Sequence, residues 1–278
     1  MADETTRDDA WFEAEYNPRL TVADVDQVFA GWVARSAALR AEAPPQEVRY
    51  GSHAREVLDW FRPARPRGLV VFLHGGYWRA LSKAEHSFVA APWLASGYSV
   101  AVINYPLCPE VRIVDIVASC RRAVAALWPS LAGEERGNAI VAGHSAGGYL
   151  TAAMLATDWA AEGLPGQPFR GGLALSGVFM LEPLLRTSMN GLIRLAPEEA
   201  RGWSLDLLRP GLTVPLLFAV GGDEPSEFHR QSRALAAAWA LPGGGVCAVA
   251  GRNHFTIVED FARAGSLVKT LAAGLLSR

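Results

Sequence analysis

The stretch Asn138-Ala139-Ile140-Val141-Ala142-Gly143-His144-Ser145-Ala146-Gly147-Gly148-Tyr149-Leu150 decides how this chain folds. Its first part is a short apolar run of strand length, and Tyr149–Leu155 reads as a helix. Between them, Gly143-x-Ser145-x-Gly147 puts a serine on a sharp strand-to-helix turn. The backbone there is strained, and side chains two residues either side would clash; glycine removes the clash. A bare pentapeptide is a weak signal, and the competing reading is a glycine-rich turn with a capping serine. The flanking strand and helix favour an exposed nucleophile.

Working outward, short apolar strands alternate with longer helices. Strands are expected at 47–50, 55–61, 68–73, 98–103, 139–142, 172–175, 215–220 and 246–249. Helices are expected at 21–41 with Thr21 as N-cap, and at 84–95, 113–128, 145–157, 226–240 and 258–276. Strands alternating with helices of this length imply a mainly parallel sheet covered on both faces. Residues 1–20 read as an acidic arm. Residues 178–212, with Pro183, Pro197 and Pro210, break the rhythm and read as an inserted lid over the strand ends. The expectation is a single α/β domain over 1–278, with residues 1–45 forming an N-terminal arm and helix.

Composition narrows the classes. Of 278 residues, 50% are hydrophobic and 19% charged, and the formal net charge is -2. Disorder needs fewer apolar residues, and a nucleic-acid binder needs a basic excess. Three scattered cysteines supply neither a disulfide framework nor a zinc cluster. Met1–Asp9 is acidic and unlike a targeting leader, and no apolar run approaches the roughly 20 residues of a membrane span. The expectation is a cytoplasmic protein acting on a small molecule, without membrane or nucleic-acid partners; a homodimer is compatible with the sequence. Metal-ligand motifs, a P-loop and a dinucleotide fingerprint are missing from the sequence, so neither metal nor cofactor is expected.

A serine nucleophile needs oxyanion donors, a base and an acid. His74-Gly75-Gly76-Tyr77-Trp78 follows an expected strand, and the amides of Gly75 and Gly76, with that of Ala146, would form the oxyanion hole. In this architecture the order is serine, acid, histidine. Of the histidines after Ser145, His229 lies in an expected helix as a solvated residue. His254 lies in a loop just past an expected strand, where ligand-facing residues collect, and is assigned as base. Asp223, after the expected strand 215–220 and Gly221-Gly222, is the assigned acid; Glu224 is adjacent and stays a candidate.

These residues resemble the α/β-hydrolase superfamily, in its hormone-sensitive-lipase-like branch, and most specifically the arylformamidases, also called kynurenine formamidases. The likeness runs over most of the chain. It is carried by the Tyr77-Trp78 ending of the glycine loop, by Gly143–Gly148, by Ser176-Gly177-Val178-Phe179 and the residues beyond it, and by Gly221–Glu224 with Glu227-Phe228 and Arg230-Gln231-Ser232. Asn104 departs from it, since many relatives have aspartate before the tyrosine. The resemblance implies an α/β-hydrolase fold and a substrate such as N-formylkynurenine, cleaved to formate and the arylamine through a formyl-serine. Tyr77, Trp78 and Phe179 would wall the aryl group, although each also suits a core. Two alternatives stand beside it: a carboxylesterase acting on short-acyl or aryl esters with the same residues, and a non-catalytic binding module, which should lack part of the triad.

Overall fold

The computed structural model describes residues 7–277. The acidic stretch 1–6, part of the segment read above as no leader, lies outside the described residues. Eight strands form one sheet: β1 (Gln46–Arg49), β2 (Val57–Phe61), β3 (Leu69–Leu73), β4 (Ser99–Ile103), β5 (Ala139–His144), β6 (Gly172–Leu175), β7 (Leu216–Gly221) and β8 (Gly245–Val249). Their order is β1-β2-β4-β3-β5-β6-β7-β8. β2 pairs antiparallel with β1 and β4, and every other pairing is parallel. Every residue of β3, β4, β5 and β6 is buried. That is why these strands read as continuous apolar runs without alternation.

The strand period of two deals residues to two cores, one on each face. Leu69, Val71 and Leu73 of β3 join one core, and Val70 and Phe72 the other. The helices that cover the sheet are α1 (Asp9–Tyr16), α2 (Val25–Glu42), α3 (Ile113–Leu127), α4 (Ala146–Leu155), α5 (Ser226–Trp239), α6 (Ile257–Phe261) and α7 (Leu267–Leu276). Helices α1, α3, α4 and α5 cover the first face, for example through Tyr16, Ile116, Tyr149 and Phe228. Helices α2, α6 and α7 cover the second through Trp32, Phe261 and Leu275. No helix among the described residues is long and apolar enough to cross a membrane.

Several expected boundaries shift for local reasons. The arm contains α1, capped by Asp8, whose side chain accepts from the Trp11 amide at 2.9 Å. Thr21 does not cap α2; its hydroxyl donates to the Pro18 carbonyl at 3.0 Å, and the helix starts four residues later. The stretch expected as one helix at 84–95 is three short turns, with Pro92 opening the last of them. Helix 258–276 is split into α6 and α7 across a loop holding Gly265 at φ 75°. The inserted segment carries four short helical turns, and its Leu181, Leu184 and Leu205 are buried in the first core.

Helix α2 is pinned to the sheet by charge as well as by its apolar side. The Asp59 carboxylate of β2 is fully buried and receives Arg40 of α2 together with Lys83, the latter at 2.5 Å. The Ser36 hydroxyl donates to the Glu85 carbonyl at 2.9 Å and accepts from the Phe88 amide at 3.0 Å. A buried pair stripped of one partner leaves uncompensated charge. Asp59→Asn is therefore expected to cost about 3 kcal/mol. A urea melt should show this as a lower midpoint at unchanged slope.

Candidate active site

β5 ends at His144 and α4 begins at Ala146, so Ser145 occupies the turn alone, at φ 57° and ψ -117°. A non-glycine residue held there stores about 1–3 kcal/mol. Both flanking glycines are forced by contact. A Cβ on Gly147 would lie 1.9 Å from the Leu73 carbonyl oxygen, and one on Gly143 would lie 2.2 Å from that of Gly147. The Ser145 amide donates to the Leu175 carbonyl at 2.8 Å, which fastens the turn to β6.

The Ser145 hydroxyl lies 3.0 Å from His254 Nε2, to which it donates. His254 Nδ1–H donates in turn to Glu224 Oε2 at 2.8 Å. The carboxylate on the histidine is thus Glu224, and the assignment of Asp223 is corrected. The reason is the turn after β7. The Asp223 amide donates to the Arg252 carbonyl at 3.0 Å, and the Glu224 amide to that of Gly221 at 3.2 Å. This turn sends Asp223 to solvent and Glu224 inward. Glu224 Oε1 also accepts from the Ser176 hydroxyl and the Gly221 amide, both at 2.5 Å. All three side chains of the series are buried. His229 sits on α5, away from them.

The glycine loop lies alongside. Gly75 packs so closely that a Cβ would be 3.2 Å from that of Ser145, and Gly76 turns at φ 112°. His74 braces the loop: its Nδ1–H donates to the Gly75 carbonyl at 2.7 Å, and its own carbonyl accepts from the Tyr105 hydroxyl at 2.6 Å. Its ring stacks on Tyr105 with centroids 4.1 Å apart. Among the described residues, the amides of Gly76 and Ala146 donate to no protein acceptor. Those two N–H groups, with that of Gly75 beside them, are suited to hold a developing oxyanion.

Ser145 and His254 open into a cavity of about 320 Å³. This lies at the small end of the roughly 300–1,000 Å³ range of ligand sites, fit for a single-ring body. Of the three expected aromatic contacts, Tyr77 lines the cavity, its hydroxyl donating to the Tyr16 carbonyl. Trp78 and Phe179 do not, and both expectations are corrected. Trp78 is fully buried and packs edge-on against Tyr149 at 5.3 Å. Phe179 is fully buried beneath Gly177 and against Phe218.

The wall instead comes from Phe29 and Trp32 of α2 and from Phe255. Phe29 contacts Trp32 at 5.0 Å and Phe255 at 5.3 Å, so the three rings form one continuous surface. Asn17, Pro18 and Arg19 complete that side, so the N-terminal segment borders the cavity. In the sequence, Phe29 and Trp32 show only helical spacing, which marks a core face as readily as a ligand wall. Phe255 had a better signal in its place next to His254.

Comparison with known proteins agrees with this architecture. A family model for the alpha/beta hydrolase fold matches residues 70–208. The kynurenine formamidase of Salmo salar is 31% identical over 77% of this chain and 75% of its own length. That of Danio rerio is 28% identical over 95% of this chain and 94% of its own. A Silicibacter crystal structure, provisionally described as a thioesterase, superimposes with a TM-score of 0.83 at 31% identity, covering 98% of both chains.

The two neighbouring carboxylates are separable by substitution. Loss of the carboxylate that orients a catalytic histidine lowers turnover by about 10⁴. Glu224→Gln is expected to lower kcat on p-nitrophenyl acetate by about 10³–10⁴. Asp223→Asn, in solvent, should stay within about threefold of the parent.

Proposed function

The chain belongs to the alpha/beta hydrolase fold family, and on that premise we propose that it is a serine-dependent arylformamidase, cleaving an N-formyl arylamine of the N-formylkynurenine type. The observation that carries this reading is the hydrogen-bonded series Ser145–His254–Glu224 on the floor of a small aromatic-walled cavity. The likeness to the kynurenine formamidases supports the formamide over other acyl compounds.

In this reading Ser145 Oγ attacks the formyl carbon while its proton passes to His254 Nε2. Glu224 faces the imidazolium that forms and holds the ring in the productive tautomer. The tetrahedral oxyanion accepts from the Gly76 and Ala146 amides, with Gly75 contributing. Collapse breaks the C–N bond, and His254 returns its proton to the aniline nitrogen as the arylamine leaves. A formyl-serine ester remains. Water, giving a proton to His254, attacks that ester; formate departs, and the proton returns to Ser145. An aniline anion is a poor leaving group, so proton delivery by a fixed histidine matters more here than for an ester. A cytoplasmic place in tryptophan catabolism belongs to the same proposal.

The same residues would serve a carboxylesterase of short-acyl or aryl esters, a reading favoured by the thioester chemistry ascribed to the Silicibacter protein. The two part on relative rate. We expect kcat/KM for formate release from N-formylkynurenine to exceed that for p-nitrophenyl acetate hydrolysis. A formamide value far below the ester value would move the assignment to esters. Ser145→Ala should lower formate release by at least about 10⁴-fold, as loss of a serine nucleophile does elsewhere. Unchanged hydrolysis of both compounds would remove serine catalysis altogether.

A further inference from the structure

The chain carries a formal net charge of -2, yet the side chains lining the cavity include two arginines and neither aspartate nor glutamate. The two arginines differ in their engagements. Arg19 pairs with Asp26 at 2.8 Å and lies over the Phe29 ring at 5.3 Å. Arg79 makes no ion pair and no side-chain hydrogen bond among the described residues. The nearby carboxylate that feels its charge is Glu13. The Glu13 oxygens are already occupied, by the Ser188 backbone amide at 2.8 Å, the Ser188 hydroxyl at 2.7 Å and the Asn17 side-chain Nδ2 at 2.8 Å. Glu224 is turned away, toward His254, Ser176 and Gly221.

Arg79 is also placed by a rigid piece of backbone. Gly76, Tyr77 and Trp78 all have positive φ, at 112°, 49° and 55°. The Arg79 and Ala80 amides both donate to the Gly76 carbonyl at 3.0 Å, closing the turn. The loop proposed to offer its amides to the acyl group therefore also fixes the main chain from which Arg79 projects. Phe29, Trp32 and Phe255 line the same cavity. One cavity thus brings together an acyl centre, an aromatic wall and an unpaired cation.

We infer that Arg79 is the anchor for a carboxylate on the substrate, so that the preferred class is an N-formyl arylamine whose side chain carries a carboxylate. This rests on the formamidase reading of the same site. A guanidinium meets a carboxylate through two parallel N–H donors, which orients the ligand as well as attracting it. An ester or anilide without a carboxylate leaves that fork in water and gains nothing from it, so the residue sorts substrates by that group.

The test compares N-formylkynurenine with formanilide, the neutral parent N-formyl arylamine, on wild type, Arg79→Gln and Arg79→Lys. The wild-type ratio of kcat/KM for the carboxylate-bearing compound over formanilide should fall about 10- to 100-fold in Arg79→Gln, the span of a charge-assisted contact. Arg79→Lys should recover part of it. Added salt should weaken the wild-type preference and leave the Arg79→Gln ratio flat, which a merely structural role would not produce. An unchanged ratio in Arg79→Gln, with both compounds still hydrolysed, overturns the anchor and leaves the formamidase reading intact. Failure of wild type to release formate from either compound overturns that reading instead. The anchor is then judged on 4-acetoxybenzoate against phenyl acetate, where a selective loss for the carboxylate compound supports it and an equal loss sinks it.

Discussion

The contact on which the site depends is the approach of the first turn of α4 to the end of β3. Gly147 sits so close to the Leu73 carbonyl that a methyl group in place of its hydrogen would lie 1.9 Å from the oxygen. Nothing but glycine allows that distance, and the distance puts Ser145 beside the loop that continues from Leu73 into His74-Gly75-Gly76. Were α4 to stand further off, the Ala146 amide would move away from the loop that carries Gly76. The left-handed backbone of Ser145 follows from the same geometry, because β5 must reverse into α4 within one residue. Strain at Ser145 is thus the local cost of bringing two free amides and one hydroxyl together, and the sheet's two cores hold it in place.

The N-terminal segment is bound into this arrangement by a buried polar network. The Tyr16 hydroxyl donates to Glu227 at 2.5 Å and accepts from the Gln231 side chain at 2.8 Å. Gln231 Oε1 accepts from the amides of Phe179 and Met180 at 2.7 and 2.9 Å. Burial pushes the Tyr16 phenol well above its ordinary range, so it stays a neutral donor. Burial alone would raise the Glu227 carboxyl, but hydrogen bonds from Arg230 and Tyr16 outweigh it and hold the group below its usual value. Each member is satisfied, which lets such a network rigidify its surroundings. The consequence reaches the cavity: Tyr77 donates to the Tyr16 carbonyl, and the chain then runs through Asn17, Pro18 and Arg19 along the rim into α2. The arm, α5 and the cavity wall are one mechanical unit.

How much of this was legible depended on whether a residue's role left a local pattern. The elbow was legible because close approach demands glycine at fixed spacing, and the fully buried strands because two covered faces remove alternation. His254 was legible from chain order and loop position. The choice between Asp223 and Glu224 was not, because adjacent residues in a turn point opposite ways and only the bonds of Asp223 and Glu224 to Arg252 and Gly221 decide which. Trp78 and Phe179 misled because an aromatic beside a catalytic loop looks the same in sequence whether it faces ligand or core. Phe29 and Trp32 were hidden for the converse reason: α2 meets the cavity only through tertiary packing far from the motif. The selective Glu227-Phe228 and Arg230-Gln231-Ser232 stretch gains a physical reading too, since Glu227 and Gln231 anchor the arm.

His144, the variable position inside the elbow, is constrained as tightly as the glycines around it. Its Nε2–H donates to the His254 carbonyl at 2.6 Å, so the nucleophile's turn and the base's loop are joined through the backbone as well as through the Ser145–His254 bond. That role requires a donor that never changes state. Burial keeps the His144 imidazole well below its ordinary pKa, and the neighbouring His254 pushes it the same way. With ring centroids 5.0 Å apart, a proton arriving on His254 makes protonation of His144 harder still. His144 therefore stays a neutral donor beside its neighbour. Glu224 accepts from the His254 ring, while His144, neutral, holds the backbone of His254 in register with Ser145.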